Sequence, residues 1–181
     1  MQPHDLAPAS GTASAGAVLL HPHPDTGGDR FNNVISELYR ALPAAGVTAI
    51  RFDFSSSKLE TASTETLEAL DQLPADLPRF LVAYSFGGGV AATLTEERIA
   101  GWFLAAPALS MVEPAIGADP RPKLVAAAER DQFFPPEQLA TATGDWENAE
   151  LTVVPGADHF FVGRTDVVAE RCVGWITQVA R

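Results

Sequence analysis

Short apolar runs of strand length recur along the chain, separated by segments whose apolar side chains return every three or four positions. Residues 16–20, 46–54, 99–107, 123–128 and 151–154 are such runs, continuous enough to read as strands buried on both faces. Between and after them, residues 30–42, 64–73, about 137–142 and about 165–180 carry helical spacing. In the last of these, Val168, Cys172, Trp175, Ile176 and Val179 form one apolar stripe. Asp29 is positioned to cap the helix beginning at residue 30. Strand and helix alternate throughout, which predicts an α/β protein: a mostly parallel sheet with helices on both faces and a ligand site at the carboxyl ends of the strands.

One stretch breaks the pattern. The run Phe80-Leu-Val-Ala-Tyr stops at Ser85, passes Phe86 and three glycines, and resumes as an alanine-rich helix. A strand that turns directly into a helix strains the corner residue and lifts its side chain clear at the helix N-terminus, which suits a nucleophile. Ala83 and Gly87, two positions to either side, supply the small side chains such a turn needs. The competing reading is a plain glycine-rich turn.

A second unusual loop, His21-Pro-His-Pro-Asp-Thr-Gly-Gly28, follows the run at 16–20. Pro22 and Pro24 have no amide hydrogen, so a backbone donor aimed into a site from this strand end comes from His23 or Asp25, and His23 is the better placed. His21, His23 and Asp25 could instead be read as metal ligands on one face of an extended segment, although no further ligand cluster accompanies them. Ser55, Ser56 and Ser57 read as a self-satisfied turn, since no glycine follows to make an elbow. The connector at 110–121 has room for little more than a turn of helix, so the site is expected to be open, without a substantial lid.

Composition narrows the possible partners. With 12 basic and 23 acidic side chains the net charge is -11, which argues against nucleic acid and anionic membrane. No apolar run approaches the roughly 20 residues of a membrane helix. The single cysteine, Cys172, excludes an intramolecular disulfide and fits a reducing cytoplasm. Residues 1–15 read as a flexible or partly stranded tail with no secretory pattern, and 16–181 as a single domain. The oligomeric state, monomer or weak dimer, is open.

Ser85, Asp131 and His159 each follow a different strand, in the order nucleophile, acid, histidine. With His21-Pro-His-Pro, Gly27-Gly28, Asn32-Asn-Val34, Arg51-Phe-Asp-Phe54, Ala83-Tyr-Ser-Phe-Gly87, Glu129-Arg-Asp131 and Pro155-Gly-Ala-Asp-His-Phe-Phe161, the chain from Gly16 onward resembles the small, lidless α/β-hydrolases of the dienelactone-hydrolase-like and serine-esterase type. That resemblance implies a minimal α/β-hydrolase fold, a triad of Ser85, Asp131 and His159, and an oxyanion hole formed by the backbone N–H groups of His23 and Phe86. It implies hydrolysis of a small carboxylic ester or thioester with no cofactor and no metal. Ala83 replaces the usual first glycine of the elbow, serines replace a glycine-rich loop after Phe54, and Glu129 remains a fallback acid. Phe133, Phe134, Phe160 and Phe161 flank the acid and the base, either lining an acyl pocket or belonging to the core. A non-catalytic binding module on the same fold is the alternative from a different class.

Overall fold

The computed structural model describes residues 2–181. Among them the apolar runs form a seven-stranded sheet in the order β1-β3-β2-β4-β5-β6-β7. The strands are β1 (His4–Ala7), β2 (Ala15–Leu20), β3 (Val47–Phe52), β4 (Arg79–Tyr84), β5 (Ile99–Ala105), β6 (Lys123–Ala128) and β7 (Ala149–Val154). Every pairing is parallel except that of β1 with β3.

The central strands are apolar without alternation because both of their faces are covered. In β4, Phe80, Val82 and Tyr84 point into one core, packed by α1 (Asn33–Ala41) and α5 (Thr165–Val179). Leu81 and Ala83 point into the other, packed by α2 (Leu59–Leu70), α3 (Phe86–Ala92) and α4 (Pro136–Thr143). Each large side chain buried in this way contributes about 1.5–3 kcal/mol of transfer free energy.

Two local readings, both of helix boundaries, are corrected. The helix expected from residue 30 begins at Asn33, and its cap is Asn32, whose Oδ1 accepts from the Val34 N–H at 3.0 Å. Asp29 turns the loop one step earlier, accepting from the Phe31 N–H at 2.8 Å. Arg30 is drawn out of the helix by Asp53, whose carboxylate takes both its backbone N–H and its guanidinium. The helix expected at 64–73 spans Leu59–Leu70, its first turn carrying exposed Leu59 and Glu60 beside buried Ala62. The stretch read as a flexible or partly stranded tail contains strand β1, His4–Ala7, in register with Ala49 to Phe52. Asp5 pairs there with Arg51 at 3.0 Å and Arg30 at 3.3 Å, partners 46 and 25 positions away that local composition cannot reveal.

The chain runs from β2 out to β3, then crosses back over β2 to β4 and proceeds to the other edge. Strand order therefore reverses between β2 and β4, and the loops leaving their carboxyl ends part to open a crevice. Those loops are His21 to Gly28 and the elbow at Ser85. The β5–β6 connector holds only the single 3-10 turn Leu109–Met111, so it leaves this crevice uncovered. Among the described residues no helix is long and apolar enough to cross a membrane.

Candidate active site

Ser85 caps α3 with φ 53° and ψ -115°, a left-handed conformation that a non-glycine residue adopts only where its surroundings enforce it. Enforcement comes from both sides of the turn. The Ser85 N–H donates to the Ala105 carbonyl at 3.0 Å, and the Ser85 carbonyl accepts from Gly89 at 3.1 Å and Ala108 at 3.0 Å. Gly87 donates to the His21 carbonyl at 3.2 Å, so the elbow is stitched to the end of β2. A Cβ at Gly87 would lie 2.5 Å from the Leu20 carbonyl oxygen, which explains why the elbow needs glycine there. Ala83, buried within β4, is tolerated in the position before the turn.

Ser85 Oγ stands 3.1 Å from His159 Nε2, and His159 Nδ1 stands 2.7 Å from Asp131 Oδ2. All three side chains are buried. The other oxygen of Asp131 accepts from the N–H groups of Phe133 at 2.8 Å and Phe134 at 2.9 Å, which fixes the carboxylate's orientation. Asp131 can only accept from Nδ1, so that nitrogen carries the ring proton and Nε2 presents its lone pair to the serine. The Tyr84 hydroxyl donates to the His159 carbonyl at 3.0 Å. Burial first, then the charges of Asp131 and Asp158, hold that phenol well above its ordinary pKa, so it remains a neutral donor. Glu129 turns away to accept from the Gly156 N–H at 2.7 Å, tying down the loop before His159, and takes no part in the contact with the imidazole.

The loop after β2 folds back on itself. Its His23 carbonyl accepts from the N–H groups of Thr26 and Gly28, and Gly28 packs so closely that a Cβ would meet the Pro22 oxygen at 2.3 Å. His23 and Phe86 both border the same cavity as Ser85, with their rings 4.9 Å apart edge to face. The Phe86 N–H opens α3, where the helix has no acceptor for it.

His21 lies outside this arrangement. Its Nε2 accepts from the Phe54 N–H at 2.8 Å and its Nδ1 donates to the Pro22 carbonyl at 2.6 Å, so both nitrogens are engaged. Asp25 accepts from the Ser57 hydroxyl at 2.6 Å. The reading of His21, His23 and Asp25 as metal ligands therefore has no convergent donors. Among the described residues no group of three or more His, Cys, Asp or Glu is arranged to hold a metal. Ser55 is bound through its N–H and hydroxyl to the buried Glu65, and Ser57 to Asp25; neither borders the cavity.

The cavity has a volume of about 410 Å³. Phe133, Phe134 and Phe160 line it around His159, whereas Phe161 is wholly buried in the core. Met111, in the connector at 110–121, forms another part of the wall, and sequence reasoning does not point to it, because Val112 and Ile116 are equally apolar neighbours in the same segment.

The sheet order, the elbow after β4 and the uncovered crevice define an α/β-hydrolase fold. An α/β serine hydrolase homologue from Coxiella burnetii matches 96% of the chain and 90% of its own, with a TM-score of 0.84 and 24% identity. A lidless α/β serine hydrolase from Xanthomonas campestris matches 97% and 89% (TM-score 0.78, 21% identity), and a dienelactone hydrolase from Anabaena variabilis 97% and 90% (TM-score 0.79, 16% identity). An uncharacterised protein of Rickettsia prowazekii is 24% identical over 174 residues, covering 83% of this chain and 73% of that protein. No family model matches the sequence.

Proposed function

We propose that this protein is a serine hydrolase that cleaves a carboxylic ester or thioester of a small substrate. The observation that carries the reading is the unbroken hydrogen-bonded chain from Ser85 Oγ through the His159 ring to Asp131, set at a strained elbow beside an open cavity. The serine hydrolases and dienelactone hydrolase that share the fold support the same reaction class.

A serine hydroxyl is almost wholly protonated at neutral pH and attacks only if a base accepts its proton as the bond forms. His159 Nε2 is that base, and Asp131 stabilises the imidazolium that results. As Oγ bonds to the substrate carbonyl carbon, the carbonyl electrons move onto oxygen, where the N–H groups of Phe86 and His23 receive the negative charge. Collapse breaks the bond to the alcohol or thiol, which leaves with the proton returned by His159. A water molecule, deprotonated by the same imidazole, then cleaves the acyl group from Ser85. The single cysteine fits action in the cytoplasm.

Labelling by an uncharged fluorophosphonate, followed by mass spectrometry, tests the reading. Wild type labels at Ser85, and Ser85→Ala does not. Asp131→Asn retains the fold by circular dichroism but reduces labelling rate and ester turnover by about 10³- to 10⁴-fold, because an amide no longer enforces the Nδ1–H tautomer. Well-folded wild type that neither labels nor turns over a short-chain 4-nitrophenyl ester would leave the fold serving as a binding module.

A further inference from the structure

The cavity beside Ser85 is apolar to an extent that its role as a hydrolase site does not require. Among the described residues that line it there is no Asp, Glu, Lys or Arg. Arg30, on the segment after the His21 to Gly28 loop, gives its guanidinium to Asp5 and Asp53, and the exposed Arg130 stands outside the lining. The imidazolium of His159 that forms during the proposed reaction is already paired with Asp131.

The mouth is unlike ordinary protein surface. Met111, Phe133 and Phe160 are 60%, 54% and 50% exposed, three large apolar side chains half in water around one opening. The rings of Phe133 and Phe160 meet edge to face, 6.3 Å apart at 84°, with centroids 5.0 and 5.5 Å from that of His159. An aromatic wall of this kind gains most from a flat apolar group laid against it. A carboxylate in the same place would lose its hydration without finding a Lys or Arg partner among the lining residues. The net charge of -11 adds a field that repels an anion on approach.

We infer that the site takes uncharged esters or thioesters whose aromatic or similarly compact apolar group seats on Met111, Phe133 and Phe160, and that it rejects substrates carrying a carboxylate on that group. This rests on the hydrolase reading above.

Two comparisons at pH 8, above the ordinary imidazole range, test it. The first sets the methyl 4-nitrophenyl diester of terephthalate against the mono-4-nitrophenyl terephthalate anion, read by 4-nitrophenolate release, which differ in charge on the acyl ring while keeping the same scissile bond and leaving group. Wild type favours the neutral ester by about 100-fold or more in kcat/KM. The second compares 4-nitrophenyl benzoate with 4-nitrophenyl acetate in wild type, Met111→Ala and Phe160→Ala. The benzoate-to-acetate ratio of kcat/KM falls roughly tenfold in each variant, as expected for lost contact with one apolar wall. Equal turnover of the charged and neutral esters, or an unchanged ratio in both variants, overturns the inference. Either result in protein that still labels at Ser85 leaves the hydrolase reading intact. Folded protein that neither labels nor turns over any of the esters removes both.

Discussion

Gly87 shows how much of the elbow rests on a missing side chain. The obstacle to a Cβ there is the backbone of Leu20 on the neighbouring strand, and backbone cannot rotate aside as a flexible side chain would. Gly87→Ala is therefore expected to cost roughly 1–3 kcal/mol in urea unfolding and to lower the rate of Ser85 labelling, since the strain can be relieved only by shifting the turn. Gly174, in the middle of α5, is the control. A Cβ there would meet nothing within 4 Å and its φ is not in the left-handed region, so Gly174→Ala is expected to stabilise by about 0.5–1 kcal/mol through helix propensity alone. At this scale the sequence was readable where one residue type has one physical use, as with Gly87. It was ambiguous where the same type serves two. Phe160 borders the cavity and Phe161 is buried in the core, although the two adjoin and are chemically identical.

The elements around the site are joined by side chains reaching across their ends. His21 closes β2 and accepts the Phe54 N–H beyond the end of β3, which it can do only while Nε2 is unprotonated. Burial pulls its pKa below the ordinary 6.5, outweighing the Pro22 carbonyl and the charges of Asp53, Asp29 and Glu65, which act in the opposite direction. A histidine whose folded pKa is depressed binds fewer protons folded than unfolded. Its contribution to stability is thus complete above about pH 6.5 and is lost as pH falls from there toward and through the lowered folded value. Urea midpoints measured from pH 8 down to pH 5 should fall in wild type, and His21→Gln, which can still accept but does not titrate, should show a shallower fall. The order and type of the main strands and helices were legible because apolar periodicity and turn residues act over a few neighbouring positions. The α1 boundary was not. Asn32 displaced Asp29 as the cap because Asp53, on the far side of the loop, claimed Arg30.

Across the whole molecule, two cores sandwich one sheet, and Cys172 lies in the core shared by α1 and α5. Its thiol is fully buried and its pKa is pushed well up by that burial, so it is neither accessible nor ionised in the folded state. Reaction with a thiol reagent should be negligible in buffer and should appear in urea with the same midpoint as the loss of helical circular dichroism. Labelling at much lower urea would show that α5 detaches before the sheet unfolds. By itself the sequence determined the α/β alternation, the parallel sheet with its site at the strand ends, and the loops on which Ser85, Asp131 and His159 would fall, because each of these follows from patterns local to the chain. Tertiary structure removed the fallback acid Glu129, and it alone decided that His21 braces two strands outside the site, that β1 completes the sheet edge, and that Met111 walls the cavity. Those outcomes depend on which distant residues arrive beside one another. Ser85 and His159 are separated by 74 positions, and only the packing of helices on both faces of the sheet brings them to 3.1 Å.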